Sequence, residues 1–425
     1  MIGAGISGME TALNLGDMGF RVLLVEKTPS IGGTMILLSK VFPTLDCASC
    51  ISTPKMASVM HHPMITTLTY TNVEEVKREG NRFSVRIKKN PRYVKEDVCT
   101  GCGQCESSCP VVVPDQYAYG LVGRKAAYIP FSTASPRVAL IDLKNCVLCG
   151  MCERICPADA IDFTQQPVER EVRVRTIVIA TGFNLFPAER MSNYGYGKFE
   201  NVITSMQMER LLSPTRPFNN VLRPSDGKVP SKIAYVLCTG SRDRTVGNSI
   251  CSQVCCMYSI KQAQLLMGAL PLVEVTIFYI DIRAFGKGYE EFYQQSKEMG
   301  IRFVKGKVSK IDKKEDGNLV LRYEDIGDYG KLKEEEFDMV VLSVGLLPSY
   351  EILSKFNGLK VEQDEALFIR SQDILNVTET SIPGVFVTGT AFGPKDIPDS
   401  VTSAGDAAAG AAAFMREQEV AANAK

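Results

Sequence analysis

Histidine is almost absent from this sequence, which has only His61 and His62 among 425 residues. Catalysis that pairs a histidine with a serine or cysteine nucleophile therefore has little support, and we interpret both histidines as loop or surface residues. Positive and negative formal charges balance at 48 each, so the composition indicates neither a nucleic acid nor an anionic membrane as a partner.

Long apolar runs are also missing, and the first residues, MIGAGISGME, have neither a basic region nor an apolar signal core. These absences favour a soluble, cytoplasmic protein without a transmembrane segment. Cysteine, by contrast, is abundant, with 14 residues. A secreted disulfide framework usually belongs to a short chain with a signal peptide, so the clustered cysteines favour metal binding in a reducing compartment.

Two cysteine runs share the spacing C-x2-C-x2-C-x3-C-P, CTGCGQCESSCP at 99–110 and CVLCGMCERICP at 146–157. This is the bacterial ferredoxin spacing, in which the fourth cysteine of each run binds the other cluster. Zinc has no reason to use this spacing twice. The runs predict two [4Fe–4S] clusters, one bound by Cys99, Cys102, Cys105 and Cys156 and one by Cys146, Cys149, Cys152 and Cys109.

A dinucleotide-binding fingerprint opens the chain. The glycines Gly3, Gly5 and Gly8 precede a helical stretch, and the next strand ends at Glu26, which is placed to accept a hydrogen bond from a ribose hydroxyl. The helix N-terminus would face the phosphates. Only Met1 and Ile2 remain for the first strand, so we expect a fragment, a shortened product or a start that lies upstream.

Later segments favour FAD over NAD, because they resemble the glutathione reductase class of flavoproteins. The resemblance rests on an extended FAD signature, on an apolar strand followed by Thr-Gly, and on the strand GVFVTG near the end. It implies FAD contacts at Glu26, Lys27, Gly32, Gly33, Thr181, Gly182, Gly389 and Thr390. Thr390 stands where the family usually has an aspartate, so that contact departs from the family pattern.

A second α/β unit is predicted from strand-like and helical segments after residue 231. The strand KIAYVL is followed by CTGSRD, where a nucleotide-binding unit would have a GxGxxG loop. A tight NAD(P) site is therefore disfavoured here. Four further cysteines follow the strand with the spacing C-x12-C-x3-CC: Cys238, Cys251, Cys255 and Cys256. Taken alone, they allow two buried thiols beside an accidental pair, or a strained disulfide between the adjacent cysteines.

Together, these four cysteines, the ferredoxin runs, the FAD signature and FPTLDCASCISTPKM at 42–56 resemble the A subunit of heterodisulfide reductase over almost the whole chain. The resemblance implies a [4Fe–4S] cluster at Cys238, Cys251, Cys255 and Cys256. The longest family members also have an N-terminal cluster-bearing extension and a C-terminal ferredoxin module, which are not found here. This difference predicts that electron bifurcation needs more than this chain.

Cys47 and Cys50 complete the cysteine count, and two alternatives stay open for them. They could form a redox-active disulfide against the flavin, as in the glutathione reductase class. They could instead bind a cluster that is completed by cysteines outside this chain. The resemblance to heterodisulfide reductase favours cluster ligation.

The predicted fold is α/β, a thioredoxin reductase-like flavoprotein with two dinucleotide-binding domains and an inserted α+β module of ferredoxin type. The FAD-binding domain would comprise 1–90, 166–230 and 336–425, the ferredoxin module 91–165, and the second domain 231–335. The 36 residues between Cys109 and Cys146 exceed the usual loop and predict a strand-containing excursion.

The predicted function is that of an electron-transfer flavoprotein subunit, which passes electrons between FAD and [4Fe–4S] clusters. The resemblance implies a hetero-oligomer with other heterodisulfide reductase-like subunits, with an electron-donating hydrogenase or dehydrogenase, and with ferredoxin as a further partner. One rival is a self-contained NAD(P)H-dependent oxidoreductase similar to the small subunit of glutamate synthase. Another is a scaffold that binds FAD structurally while electrons travel only through clusters.

Overall fold

The computed structural model describes residues 1–423. Its α-helices are α1 Ile6–Asp17, α2 Ala48–His61, α3 Gln104–Ser108, α4 Met151–Ile155, α5 Ser205–Leu212, α6 Cys255–Ala269, α7 Tyr289–Glu298 and α8 Ile397–Asn423. Short 3-10 helices cover Met35–Leu37, Gln116–Ala118, Ala188–Arg190, Ser192–Tyr194, Arg244–Val246, Ile326–Asp328, Glu351–Lys355 and Gly389–Phe392. Within the described range, every helix is too short or too polar to cross a membrane.

The strands of the first half are β1 Val22–Val25, β2 Ile65–Leu68, β3 Thr71–Glu79, β4 Arg82–Lys89, β5 Val112–Pro114, β6 Gly123–Lys125, β7 Ala127–Tyr128, β8 Leu140–Ile141, β9 Val168–Val174 and β10 Ile177–Ile179. Those of the second half are β11 Phe183–Leu185, β12 Val202–Thr204, β13 Lys232–Thr239, β14 Glu274–Tyr279, β15 Arg302–Lys313, β16 Leu319–Asp325, β17 Lys331–Phe337, β18 Met339–Val344, β19 Leu346–Pro348 and β20 Val385–Val387.

The chain divides into two compact units. The first contains residues 1–36, 50–183 and those from 348 onward, and the second contains Leu37–Ser49 and Asn184–Leu347. Both are therefore built from segments that are discontinuous in sequence. The division into five segments predicted from the sequence is finer than this partition and stays a prediction.

The first unit is built on a parallel sheet whose central strand is very short. Ile2 forms parallel bridges to Val25 of β1 and to Ile179 of β10. On one side β1 pairs with β2, and on the other side β10 pairs with β20; both pairs are parallel. The apolar side chains of these strands form one buried cluster with those of β3 and β4. Helices α1 and α8 pack against each other beside the sheet.

The ferredoxin-type module is part of this unit and is inserted between two strands of an antiparallel sheet of β3, β4 and β9. Lys89 at the end of β4 pairs with Val168 at the start of β9, so the chain leaves and returns at neighbouring positions. The module in between contains α3, α4 and the hairpin pairs β5–β6 and β7–β8. These strands confirm the predicted excursion between Cys109 and Cys146.

The second unit contains a seven-stranded sheet in the order β12–β18–β13–β14–β15–β16–β17. The strands from β12 to β15 are parallel, and β15, β16 and β17 form an antiparallel extension. Strand β18, Met339–Val344, pairs with both β12 and β13. Because adjacent parallel strands end at the same edge, the segments after β13 and β14 meet at one side of this unit.

Candidate functional site

The glycine loop at the start of the chain is packed as tightly as a dinucleotide fingerprint requires. Gly3 has φ +98°, and a Cβ there would lie 2.4 Å from the carbonyl oxygen of Ala180. A Cβ on Gly8, in the first turns of α1, would lie 2.0 Å from the carbonyl oxygen of Gly3. Both positions exclude any larger residue, because the opposing atoms belong to the backbone.

Gly5 leaves an open approach to the start of α1. The nearest atom to a Cβ on Gly5 would be the Cα of Gly33, at 3.9 Å. Helix α1 has no side-chain cap at Gly5 and no acidic residue in its first turn. Free N–H groups and the positive end of the helix dipole therefore remain for an anion, and the open approach fits the pyrophosphate of FAD. Gly33 lies against Gly5 of this loop, and both Gly32 and Gly33 have a positive φ, +119° and +59°.

Glu26 is buried at the end of β1, where it braces the glycine loop. One carboxylate oxygen accepts a hydrogen bond from the backbone N–H of Ala4 at 2.7 Å. The other accepts from the N–H and the hydroxyl of Thr28, both at 2.8 Å. Its predicted role toward a ribose stays a prediction. Lys27 is exposed, and its ammonium lies 3.9 Å from the carboxylate of Glu351.

The remaining predicted FAD residues of the first unit lie against the start of α1. A Cβ on Gly389 would lie 2.3 Å from the hydroxyl of Ser7, and one on Gly182 would lie 4.0 Å from that of Thr390. Thr181 donates a hydrogen bond to a backbone carbonyl of the same unit at 3.3 Å. The structure therefore brings the later FAD residues to the glycine loop, and their contact with FAD stays a prediction.

Replacing Gly8 with alanine is expected to abolish most FAD binding, because its Cβ would force the loop away from α1. The flavin absorbance per chain of the purified protein measures the loss. Gly405→Ala is the matched control, since a Cβ at this α8 glycine meets no atom within 4 Å. Full flavin content in the Gly8 variant would contradict the assignment of this loop to FAD.

The two ferredoxin runs fold in the same way. Helices α3 and α4 each start after a left-handed glycine, Gly103 with φ 79° and Gly150 with φ 70°. Backbone N–H groups point at the sulfurs, from Gly101 to Cys99 and from Leu148 to Cys146, both at 3.4 Å. Such hydrogen bonds stabilise thiolate ligands and tune a cluster.

Each run surrounds a small cavity to which the other run contributes its last cysteine. One cavity is lined by Cys99, Cys102, Cys105 and Cys156. A second one is lined by Cys109, Cys146, Cys149 and Cys152. These sets are those expected from crossed ferredoxin runs, and the thiol donors fit two cubane clusters; ligation itself stays a prediction. Across residues 1–423, no group of three metal-binding side chains could hold a single metal ion. A cubane cluster does not need such a group, because each of its thiolates binds a different iron atom.

Cys238, Cys255 and Cys256 lie together at the end of β13 in the second unit, because Cys255 is hydrogen-bonded to both of the others. Cys251 and Cys238 both interact electrostatically with Arg242. Cys238 has φ 57°, a left-handed conformation that is uncommon outside glycine. Cys255 and Cys256 begin α6 and are only 1% and 3% exposed. All four are free thiols, so the structure shows no disulfide between the adjacent pair.

The surroundings lower the pKa of two of the four thiols, Cys238 and Cys256, and so favour the thiolate there. A hydrogen bond from Cys255 lowers the pKa of Cys238 to about 7 against the effect of burial, and Arg242 and Arg283 act in the same direction. Cys255 likewise lowers the pKa of Cys256 by a hydrogen bond, and its own pKa is raised by the bonds it makes. By comparison, burial raises the pKa of Cys105 in the ferredoxin module to about 11. Because thiolates are the metal-binding form of cysteine, this group fits a cluster.

Cys47 and Cys50 are disulfide-bonded in the structure, whereas the other twelve cysteines are free. A disulfide was one of the two alternatives that the sequence left open. Cluster ligation by the same two sulfurs would need the reduced form, and it stays a prediction.

A buried ion pair in the second unit, between Glu209 on α5 and Lys261 on α6, was not predicted from the sequence. Both side chains are 2% exposed. Glu209 also accepts hydrogen bonds from the N–H and the hydroxyl of Ser39, at 2.8 and 2.6 Å, and Lys261 donates to the carbonyl of Lys40 at 2.9 Å. The pair therefore fixes the short segment 37–49 to two helices of the same unit.

The environment keeps this carboxylate ionised. Burial alone would raise the pKa of Glu209, but Lys261, Gln262 and Ser39 together hold it below its usual value. Burial lowers the pKa of Lys261, and Glu209 opposes that shift. The sequence contains one signal for the position of α5, because Thr204 and Gln207 form the reciprocal capping box that starts this helix.

Three family models match the chain. Residues 98–161 match a 4Fe-4S dicluster domain, residues 141–408 a pyridine nucleotide-disulphide oxidoreductase and residues 1–39 an NAD(P)-binding Rossmann-like domain. Among solved structures, thioredoxin reductase of Lactococcus lactis matches with a TM-score of 0.54 and 17% identity, covering 98% of both chains. That of T. acidophilum matches with a TM-score of 0.55 and 14% identity, covering 98% of this chain and 97% of its own. These matches confirm the predicted fold class.

Curated relatives are closer in sequence. The chain is 45% identical over 99% of its length to the A subunit of the H(2):CoB-CoM heterodisulfide,ferredoxin reductase of Methanothermobacter thermautotrophicus. It is 47% identical over 99% of its length to the second iron-sulfur A subunit of the CoB--CoM heterodisulfide reductase of Methanopyrus kandleri. The chain spans 64% and 65% of these two relatives. The resemblance to the A subunit of heterodisulfide reductase is thereby confirmed, and the chain belongs to the pyridine nucleotide-disulphide oxidoreductase family.

Proposed function

We propose that this chain is the electron-transfer flavoprotein subunit of a heterodisulfide reductase-like complex. The observation that carries the proposal lies at the end of β13. Cys238 lies there, hydrogen-bonded to Cys255 at the start of α6, where a nicotinamide-dependent relative would have its glycine-rich nucleotide loop. Cys251 and Cys256 would complete the set of four ligands. An iron–sulfur cluster in place of the nucleotide would make this unit a conductor of single electrons.

FAD would be held in the first unit by Gly3, Gly5 and Gly8, with Glu26 near its ribose. The flavin supplies exchange between electron pairs and single electrons. The residues of the chain position it: the start of α1 would bind the phosphates, and the tightly packed glycines fix the loop to the sheet. Lys27, Gly32, Gly33, Thr181, Gly182, Gly389 and Thr390 would complete the site.

The proposal includes three [4Fe–4S] clusters, two in the ferredoxin module and one at Cys238, Cys251, Cys255 and Cys256. Cys47 and Cys50 would contribute to a fourth that is completed outside this chain. Each ferredoxin set of four cysteines lines one cavity, and each includes one buried thiol, Cys105 or Cys152, which suits a site that must hold four thiolates.

Other subunits would carry the disulfide-reducing site. The relatives in Methanothermobacter thermautotrophicus and Methanopyrus kandleri are each named as one subunit of a heterodisulfide reductase, and the former name includes ferredoxin. We therefore propose a hetero-oligomer with heterodisulfide reductase-like subunits, with an electron-donating hydrogenase or dehydrogenase, and with ferredoxin. Flavin-based bifurcation would be a property of that assembly.

An anaerobic reductive titration of the purified chain tests this function. We expect low-potential donors such as dithionite to bleach the flavin and to produce cluster signals in electron paramagnetic resonance, whereas NADH and NADPH leave the flavin oxidised. We expect no reduction by NADH or NADPH because the segment after β13 lacks the glycine-rich loop that would bind a nicotinamide nucleotide. Rapid bleaching by NADPH would instead favour a self-contained NAD(P)H oxidoreductase, and a flavin that no donor reduces would favour a scaffold.

A further inference from the structure

The four-cysteine group of the second unit is surrounded by positive charge. Strands β13, β14 and β15 are adjacent and parallel, and Tyr279 at the end of β14 pairs with Lys305. The residues after β13 and β14 therefore lie at the same sheet edge as Lys305 and Lys307. Arg242 follows Cys238 at this edge, and Arg283 follows β14.

Two of these cations line one cavity beside the cysteine group. Its lining includes Cys238, Arg242, Asp243 and Lys307. Both Arg242 and Arg283 interact electrostatically with Cys238. The carbonyl of Asp281 accepts a hydrogen bond from the thiol of Cys256 at 3.6 Å. The cysteine group therefore lies next to Arg242, Arg283 and Asp281.

Positive charge is in excess here. Asp281 pairs with Arg242 at 2.7 Å, and this is the one ion pair that the four cations form among the described residues. Asp281 also attracts Lys305 and Arg283, and Asp243 attracts Lys307, so four positive charges face two negative ones. Lys305 and Lys307 are both exposed, two residues apart on β15, and so they point to the same face. The chain as a whole has no net formal charge, so this surplus is local.

An exposed aromatic side chain lies in the same segment. Phe285 follows Arg283 by two residues and is 62% exposed. Aromatic residues and arginines are enriched at protein interfaces, where they anchor a partner while charged residues at the rim guide its approach. We define the cationic surface as Arg242, Arg283, Phe285, Lys305 and Lys307.

We propose that this cationic surface is the docking site of an acidic one-electron carrier protein, which exchanges electrons with the cluster at Cys238, Cys251, Cys255 and Cys256. The inference rests on the proposed function of these cysteines. One electron leaves the reduced cluster and reduces the carrier, and no covalent bond or proton needs to move. Charge complementarity selects the carrier, because a protein of negative charge gains attraction here, whereas a basic or neutral one does not.

The test measures binding of an acidic bacterial two-cluster ferredoxin to the oxidised holoprotein by calorimetry, at low and high ionic strength. For Lys305→Glu/Lys307→Glu we expect the Kd to rise about tenfold or more at low salt, with the difference largely lost near 0.5 M salt. Phe285→Ala is expected to weaken binding about equally at both salt concentrations, because an apolar contact is not screened.

Lys144→Glu/Arg154→Glu is the matched control. It reverses the same number of exposed charges beside Cys146–Cys156, next to a different predicted cluster. We expect it to leave the Kd unchanged. A loss of binding in this control alone would place the carrier on the ferredoxin module and overturn the proposal. Ferredoxin binding that is unchanged in both Lys305→Glu/Lys307→Glu and Phe285→Ala would also overturn the proposal. So would tight binding of NADPH that Lys305→Glu/Lys307→Glu abolishes.

Because binding is measured between oxidised proteins, it does not depend on electron transfer. Iron and flavin contents of each variant show whether it is folded and loaded. If the cysteine group held no cluster, iron analysis would show this separately while the salt-dependent binding could still be present. Failure of the docking site and failure of the cluster assignment are therefore distinguishable.

Discussion

Replacing Cys256 with serine is expected to remove about four of about twelve iron atoms per chain, while the flavin and two clusters remain. Cys256 is buried at the start of α6 and is hydrogen-bonded to Cys255, so no other side chain can take its place as a ligand. Serine matches its size and cannot supply a thiolate. Iron and sulfide analysis of the anaerobically purified protein measures the change.

Cys109→Ser provides the comparison. It should also cost about four iron atoms, but from the cluster in the cavity of Cys146, Cys149 and Cys152, so the two remaining clusters differ between the variants. Electron paramagnetic resonance of the reduced proteins distinguishes them. A Cys256 variant that retains all its iron would remove the cluster from the second unit, and with it the main support for the proposed function.

Lys261→Met is expected to lower the free energy of unfolding by about 3–5 kcal/mol, the range found when one partner of a buried ion pair is removed. The loss is large because Glu209, 2% exposed, would keep its charge without the ammonium that offsets its desolvation. Methionine fills nearly the same volume, so the change tests charge rather than packing. Urea denaturation followed by circular dichroism measures it.

The double variant Glu209→Gln/Lys261→Met serves as the control. The amide oxygen of glutamine can still accept the hydrogen bonds of Ser39, and no uncompensated charge remains. We expect it to recover most of the lost stability, to within about 1–2 kcal/mol of the wild type. A loss below about 1 kcal/mol in Lys261→Met would show that the pair is not ionic in the folded protein.

Those parts of the structure that depend on local spacing were predictable from the sequence. The glycine loop with α1, the two ferredoxin turns and the strand β13 that leads into Cys238 each follow from residues close together in the chain. Even the crossed sets of cysteines were predictable, because the ferredoxin spacing implies them.

Features that depend on the packing of distant elements were not predictable from the sequence. Glu209 and Lys261 are 52 residues apart, and each resembles an ordinary exposed charge when its helix is considered alone. Likewise, Lys305 and Arg283 come together only because β14 and β15 pair in one particular register. The capping box of Thr204 and Gln207 marks where α5 starts, but no local pattern indicates which residues pair in either arrangement, since both arise from tertiary alignment.

The adjacent ends of the ferredoxin module have an evolutionary consequence. Since Lys89 and Val168 face each other across β4 and β9, a short turn could join them and leave a complete three-stranded meander. The flavoprotein scaffold is thus topologically whole without the module, which amounts to an elaborated hairpin loop. An ancestor could have acquired two redox centres in a single genetic event at this loop, without any rearrangement of the parent sheet.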